Sequence, residues 1–309
     1  MLAYTLRRLG YMVFTLWLII TLTFLLMHAV PGDPFTSEKK VPEAIRQNLL
    51  HKYGLDLPLH VQYIRYLSNI LHGDLGISMR YPNRTVNQMI AQGFPYSADV
   101  GARALVFAIS VGLTLGVLAA FYRDRPLDRT AMVIAVIGIS VPNFVVGTLL
   151  QYLFTVRFKL LPVVGWGTFK QSILPSFALG LGTLAVMARM MRASMLDVLN
   201  QDYVRTAQSK GLSNREVIVR HTIRNAILPI VTILGPLVVN IITGTLVVER
   251  IFGIPGLGKH YVQAVYNLDY TLIMGTTIFY AALLLFAIFL VDIAYGLVDP
   301  RIRLVKPKE

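Results

Sequence analysis

The sequence predicts an all-α, polytopic membrane protein with six transmembrane helices and a small extracytoplasmic helical region. Of its 309 residues, 55% are hydrophobic and 15% are charged, a balance far to the apolar side of an ordinary soluble domain. A hydrocarbon core of about 30 Å takes roughly 20 helical residues to cross. Six apolar runs reach that length, at residues 9–30, 97–121, 131–156, 173–191, 227–248 and 272–298.

Lys and Arg orient these spans, because short basic segments are retained in the cytoplasm. Arg7 and Arg8 precede the first run, and residues 123–129 after the second run carry three arginines. More basic residues lie around the loop after the fourth run and in the tail: Arg189, Arg192, Arg205, Lys210, Arg215, Arg220, Arg224, Arg301, Arg303, Lys306 and Lys308. We therefore expect both termini in the cytoplasm.

Charge and cysteine content exclude other classes. The net charge of +13 follows this topology and does not cluster with stacking aromatic residues, so nucleic acid is not an expected partner. Cysteine is absent, which excludes disulfides and thiolate metal sites. The first run is too long for a signal peptide and has no small-residue cleavage site, so we expect a retained helix.

The chain divides into four predicted regions. The first helix occupies residues 1–30, an extracytoplasmic cap 31–96, the membrane-spanning core 97–298 and a cytoplasmic tail 299–309. Within the cap, residues 42–53 and 58–72 each begin with proline and carry apolar residues at helical spacing, ending near Gly54 and Gly73. These two amphipathic helices either form an external cap or lie on the bilayer surface or neighbouring spans; the sequence leaves both open.

Glycine and proline inside the spans indicate how the helices pack. Gly112 and Gly116 permit close approach of a neighbouring helix, and Pro142, Pro229 and Pro236 should bend their helices.

Polar residues inside the spans are candidates for a transport pathway. They are costly against lipid and should face protein or water: Asn143, Gln151, Asn240 and Asp292. For Asp292 the favoured alternative is a basic partner near the cytoplasmic end of the sixth span.

The cytoplasmic loop at residues 192–225 has the signals of a stiff structure. Asp202 is expected to cap a short helix at 203–210, and Gly211 to end it in the left-handed conformation. Ser213 and Glu216 have capping-box spacing before a helical run at 215–225 that leads into the fifth span. A rigid basic helix between two spans can transmit a displacement from a soluble partner, which a disordered loop cannot. The alternative is a surface helix without a partner.

This loop resembles the EAA loop of ABC-importer permeases, whose pattern is EAAxxxG, nine residues, then IxLP. The chain has RTAxxxG at 205–211, so Ala207 and Gly211 match; HTIR stands at 221–224, with Leu228 and Pro229 five residues later. Other stretches are similar to the peptide/nickel branch of these permeases: LRRL at 6–9, VPGDPF at 30–35, GDLG at 73–76, VERIFGIPGLG at 248–258 and DPRIR at 299–303. Residues 34–55 resemble the B-type membrane subunit of oligopeptide importers.

The resemblance implies a type I ABC importer in the bacterial inner membrane. Its partners would be a second homologous permease subunit, two cytoplasmic ATPases and an extracytoplasmic peptide-binding protein; ATP and Mg²⁺ would bind the ATPases and not this chain. The chain would have no catalytic and no metal site. The implied ATPase-coupling residues are Tyr203, Arg205, Thr206, Ala207, Lys210, Gly211, Glu216 and His221. At the contact we expect Ala207 and Gly211, because a small side chain and a turn glycine let a partner groove approach closely.

Several rival functions are weighed against this one. Gly253-x4-Gly258-Lys259 fits most of a nucleotide-binding loop, but His260 follows, no strand precedes it and the topology places it outside the cell. Dipeptide, glutathione or nickel import would share the architecture. An ion-coupled secondary transporter would need repeated halves and more intramembrane charge. An intramembrane protease would need a histidine facing Ser140, and a passive channel would not depend on ATP.

Overall fold

The computed structural model describes residues 2–30, 35, 42–213 and 216–298. Its helices are α1 Leu2–Ala29, α2 Glu43–Tyr53, α3 Leu59–Leu71, α4 Val86–Phe121, α5 Pro126–Ser140, α6 Asn143–Arg157, α7 Phe169–Leu199, α8 Asp202–Ser209, α9 Val217–Ala226, α10 Leu228–Phe252, α11 Leu257–Tyr266 and α12 Tyr270–Val298. No strand occurs within the described ranges, where Ile77 and Thr85 form an isolated bridge.

The predicted all-α membrane fold is confirmed. Four helices are long and apolar enough to cross a bilayer: α1, α4, α7 and α12. The pairs α5–α6 and α9–α10 pass the same test as bent spans, with bends of 107° and 48°, so six crossings result if each pair counts once. Each predicted apolar run thus coincides with one of these helices or bent pairs, while some of the helices extend well past the runs.

The third predicted span is broken at Val141 and Pro142. Proline has no N–H to bond the Gly138 carbonyl, and it favours an extended residue before it. Val141 is indeed extended (φ −94°, ψ 125°), and Pro142 becomes the N-cap of α6. The predicted bend at Pro142 is therefore a complete break. Pro229 opens α10 beside the second bend, and Pro236 lies within α10.

The second and fourth spans belong to longer helices than their apolar runs. Helix α4 begins at Val86, eleven residues before the run at 97, and α7 continues to Leu199 beyond the run that ends at 191. Hydropathy marks the membrane-embedded part of a helix, whereas a helix ends only where its backbone bonds end.

The chain forms two compact units, residues 1–95 with 256–289 and residues 96–255 with 290–309. In the first unit, α2 and α3 begin after Pro42 and Pro58, their N-caps, and α2 ends at Gly54, as predicted; Gly54 has the left-handed conformation. Helix α3 rests on the first span: Tyr63 Oη lies 2.6 Å from Thr21 Oγ1, and His28 Nε2 lies 3.0 Å from Gln62 Oε1. Packing on a neighbouring span is thus the arrangement adopted by α3.

Asp269 fixes the segment before α4 to the start of α12. Its buried carboxylate accepts hydrogen bonds from the Ser78 hydroxyl and from the backbone N–H groups of Met79 (3.1 Å) and Leu272 (3.1 Å). These donors neutralise much of the cost of burying the carboxylate, and the Leu272 bond caps α12.

In the second unit, small residues bring α4 directly against α7. A Cβ built on Gly112 would lie 2.8 Å from the Leu184 carbonyl oxygen, and one on Gly116 would lie 2.6 Å from the Ala188 carbonyl oxygen. The predicted close approach at this glycine pair is confirmed, and only glycine leaves room for the facing backbone.

Candidate coupling loop and membrane pathway

The predicted short helix after the fourth span exists as α8. It begins at Asp202 with Gln201 as its N-cap, and no side chain bonds the cap. The expectation that Asp202 caps the helix is therefore wrong, because Asp202 already has helical conformation. In the first turn its carboxylate favours the positive end of the helix dipole.

The end of α8 follows the predicted geometry. Gly211 has φ +81° and donates its N–H to the Gln208 carbonyl at 2.9 Å. A Cβ there would meet no atom within 4 Å, so backbone conformation alone demands glycine.

The capping box is also confirmed. The Ser213 hydroxyl accepts the Glu216 N–H at 3.4 Å, and the Glu216 carboxylate accepts the Ser213 N–H at 3.3 Å. The hydroxyl and N–H of Ser213 lower the pKa of Glu216 below its usual value. The loop is thus stiff on both sides of the glycine turn.

One face of α8 packs inside the chain. Val204 and Ala207 are buried with Val217 of α9, against Val198 and Leu199 at the end of α7. Ala207 is only 6% exposed. The expectation that its small side chain faces a partner groove is therefore wrong: its size serves packing between α8 and α9.

The opposite face of α8 is exposed. It carries three of the expected coupling residues, Tyr203, Arg205 and Thr206; Lys210 and Gly211, also exposed, follow directly after the helix. The Arg205 side chain is 70% exposed and lies 3.9 Å from Asp202. Glu216 is exposed and His221 half-buried in the π-helical part of α9. The side of the loop open to a partner is thus aromatic and basic, while its role in coupling stays a prediction.

The expected pathway residues have different surroundings. Gln151 donates its amide N–H groups to the Val163 carbonyl at 2.7 Å and to the Ile251 carbonyl at 3.3 Å, so it joins α6 to the segment that follows it and to the end of α10. Asn143 is half-buried at the break between α5 and α6 and lines a cavity of about 310 Å³. Asp292 is half-buried in α12, and the Asn240 side chain lies outside the described residues.

Two ion pairs were missed by sequence reasoning. Asp99 accepts the Arg103 guanidinium at 2.8 Å and the Trp166 indole N–H at 3.1 Å, a pairing that the four-residue spacing of opposite charges could have indicated. Asp128 of α5 binds Arg192 of α7 through two hydrogen bonds of 2.5 and 2.7 Å, 64 residues apart. No local pattern reveals that second pair.

The nucleotide-loop-like stretch is a connection between helices. Gly253 ends α10 in the left-handed conformation, and Gly256 is the N-cap of the short helix α11 that carries Lys259. The strand that normally precedes such a loop is absent from this part of the described chain.

Comparisons with known proteins identify relatives along nearly the whole chain. Residues 112–304 match the family model of the binding-protein-dependent transport system inner membrane component, and residues 1–98 match that family's N-terminal model. The dipeptide transport system permease protein DppB of Bacillus subtilis (strain 168) is 48% identical over 303 residues, 98% of each chain. The oligopeptide transport system permease protein OppB of Escherichia coli (strain K12) is 41% identical over 305 residues, 98% of this chain and all of its own.

Solved transporters have a similar fold at low sequence identity. Inward-facing MetNI, a methionine ABC transporter, gives a TM-score of 0.54 at 18% identity, covering 68% of this chain and 94% of its own. An amino acid ABC transporter gives a TM-score of 0.52 at 18% identity, covering 70% and 94%.

Proposed function

The chain belongs to the family of binding-protein-dependent transport system inner membrane components, and we propose that it is one membrane subunit of an ATP-driven peptide importer. Its full-length similarity to dipeptide and oligopeptide permeases supports peptide as the substrate. Oligopeptides are the substrate expected from the sequence, and dipeptides are the alternative that the DppB similarity favours.

The proposed complex contains a second homologous permease subunit, two ATPases and an external peptide-binding protein. ATP and Mg²⁺ bind the ATPases. The observation that carries the contact is the two-sided α8: its apolar face is fixed to α7 and α9, while Tyr203 (44% exposed) and Arg205 point away from the chain. An exposed aromatic–arginine pair is typical of the anchors of protein interfaces.

Transport follows from alternating access. Closure of the ATPase pair displaces α8 as a rigid piece, because Gly211 and the Ser213–Glu216 box fix the turn behind it. Helices α7 and α9 then carry the displacement into the membrane, and the pathway opens to the peptide delivered from outside.

Co-purification tests the ATPase contact. A tagged chain should retain the ATPases from solubilised membranes, and Arg205→Glu should lower their recovery and peptide-dependent ATP hydrolysis. Arg123→Glu is the matched control, because Arg123 is also exposed (60%) and in a predicted cytoplasmic connection. Equal recovery of the ATPases with both variants would place the contact elsewhere.

Cysteine labelling tests the orientation. The chain has no cysteine, so Arg205→Cys creates a single reactive thiol. It should react with a membrane-impermeant maleimide only after the cells are permeabilised. Labelling of intact cells would reverse the proposed topology.

Competition between peptides of different length tests the substrate. Uptake of labelled tri-alanine should be inhibited by unlabelled peptides, and the relative potency of di- and penta-alanine separates the two substrate classes. Uptake that peptides fail to inhibit would contradict peptide import.

A further inference from the structure

The break between α5 and α6 contains polar groups that have no hydrogen-bond partner among the described residues. The Gly138 carbonyl loses its helical donor because residue 142 is proline. The Asn143 side chain lines the cavity and has no hydrogen-bond partner in the described part of the chain. The broken span therefore has unbonded hydrogen-bond acceptors and donors within the membrane. Such groups are stable there only where they face protein or a polar cavity.

A cavity of about 310 Å³ lies at this break. Its walls come from the broken span, from α7 and from α10: Gly138, Ile139, Val141, Pro142, Asn143, Leu179, Gly182, Thr183, Val186, Leu237 and Ile241. None of these residues is charged. The Gly138 carbonyl oxygen and Asn143 Oδ1 face Gly182, where a Cβ would lie 3.5 Å from the first atom and 3.8 Å from the second. The absence of a side chain at Gly182 thus leaves these two polar atoms accessible from the cavity.

Helix α7 adds unpartnered hydroxyl groups to the same face. Thr183 is 4% exposed, lines the cavity and makes no hydrogen bond with any described residue. Ser176 is 7% exposed, and its buried hydroxyl has no partner either. A spacing of seven residues places both hydroxyls on one side of α7, two turns apart.

These groups match the main chain of an extended peptide. Each peptide residue carries one N–H donor and one C=O acceptor, which must find partners in a water-poor interior. The cavity has neutral donors and acceptors, so it suits amides and disfavours charged termini or metal ions. Its volume is at the lower end of ligand sites, enough for a short stretch of chain.

We propose that this cavity is a main-chain contact site for the transported peptide, in which Asn143, Thr183 and the Gly138 carbonyl bond the peptide's amide groups. The inference rests on the proposed peptide transport and adds a position and a chemistry to it. Contacts to the main chain accept any side-chain sequence, and their neutrality lets the peptide leave again.

Transport by the reconstituted complex with its binding protein tests the site. Thr183→Val removes the hydroxyl at nearly constant volume, and the loss of one neutral hydrogen bond should lower tri-alanine transport by roughly two- to tenfold. Thr148→Val is the matched control, because Thr148 is exposed on α6 and bonds the Phe144 carbonyl of its own helix. It should change transport less than about twofold.

Tri-alanine methylated at its central amide nitrogen separates main-chain contacts from general damage. The wild-type complex should prefer the unmethylated peptide, and Asn143→Ala or Thr183→Val should reduce that preference while Thr148→Val retains it. The binding protein discriminates equally in all complexes, so a changed ratio belongs to this chain. An unchanged ratio and unchanged transport in both site variants would overturn the inference.

Cross-linking provides a second measurement that does not depend on turnover. Thr183→Cys should form a disulfide with a tripeptide bearing a pyridyl disulfide, and excess tri-alanine should prevent it; Thr148→Cys should react without such protection. Reaction at position 183 that tri-alanine does not reduce would also overturn the site. If the wild-type complex transports no peptide, the proposed function fails; if it transports peptide and the site variants behave as wild type, the site alone fails.

Discussion

The ion pair between Asp128 and Arg192 should be among the most sensitive points of the fold. The Asp128 side chain is 3% exposed and Arg192 is 24% exposed, and two hydrogen bonds of 2.5 and 2.7 Å join them. Asp128 also accepts the Asp124 N–H at 3.0 Å. Asp128→Asn keeps the shape of the side chain, removes its charge and leaves the half-buried Arg192 guanidinium without its hydrogen-bonded carboxylate.

The expected loss follows from burial. Removing one partner of a fully buried pair costs roughly 3–5 kcal/mol, whereas an exposed pair contributes roughly 0–1 kcal/mol. Arg192 retains some access to water, so the lower end of the buried range applies. We expect Asp128→Asn to lower the free energy of unfolding by about 3 kcal/mol.

Denaturant titration of the detergent-purified chain measures this loss. Glu43→Gln is the control, because its partner Arg46 is exposed and the pair should contribute at most about 1 kcal/mol. The double variant Asp128→Leu with Arg192→Met should recover much of the stability, since an apolar pair leaves no unpaired charge. If Asp128→Asn lowers the free energy of unfolding no more than Glu43→Gln does, the buried pair does not stabilise the fold by the expected amount and the reasoning from burial is wrong.

Three further predictions concern a close packing contact, a turn and a titrating group. Gly116→Ala should destabilise the purified chain by roughly 1–3 kcal/mol in the same titration, because the added Cβ would lie 2.6 Å from Met191 Cβ. The control is Gly10→Ala, which has open space around it and should leave stability unchanged or raise it. Gly211→Ala should lower the free energy of unfolding by about 1 kcal/mol, because alanine is strained in the left-handed conformation of residue 211. The loss should appear as a lower denaturant midpoint, with no contribution from packing. Burial and two nearby cations lower the pKa of His260, so the unfolded chain binds a proton before the folded chain does as pH falls below about 6.5. The free energy of unfolding should therefore decrease below that pH in the wild type, and decrease less in His260→Gln. Parallel pH profiles of the two proteins would contradict this.

Features set by neighbouring residues could be predicted from the sequence. The apolar runs gave the spans, Pro42 and Pro58 gave the starts of α2 and α3, and Gly211 and the Ser213 capping box gave the turn after α8. In each case a single residue type limits the backbone over a few positions, so the signal is complete within a short window.

Features set by distant residues could not be predicted. Asp128 and Arg192 meet across 64 residues, and Asp269 bonds Ser78 across 191. The side of α8 that packs inward was also misjudged: Ala207 is buried because Val217 covers it, and periodicity alone does not say which neighbour covers a short amphipathic helix. The same limit hid the cavity, whose lining comes from three segments of the chain.

The contacts of α8 indicate how the proposed coupling helix would act on the proposed peptide site. Its buried face contacts both the end of α7 and the start of α9, and α9 continues into α10 through a bend of 48°. Helix α7 forms one wall of the cavity with Leu179 and Val186, and α10 forms another with Leu237 and Ile241. Because close-packed glycine contacts and the buried ion pair fix α4 and α5 to α7, these three helices resist relative motion, and the breaks are where the backbone can turn. In the proposed cycle, α8 passes its displacement to α7 and, through α9 and the 48° bend, to α10, so the two cavity walls that these helices form would be the ones to move.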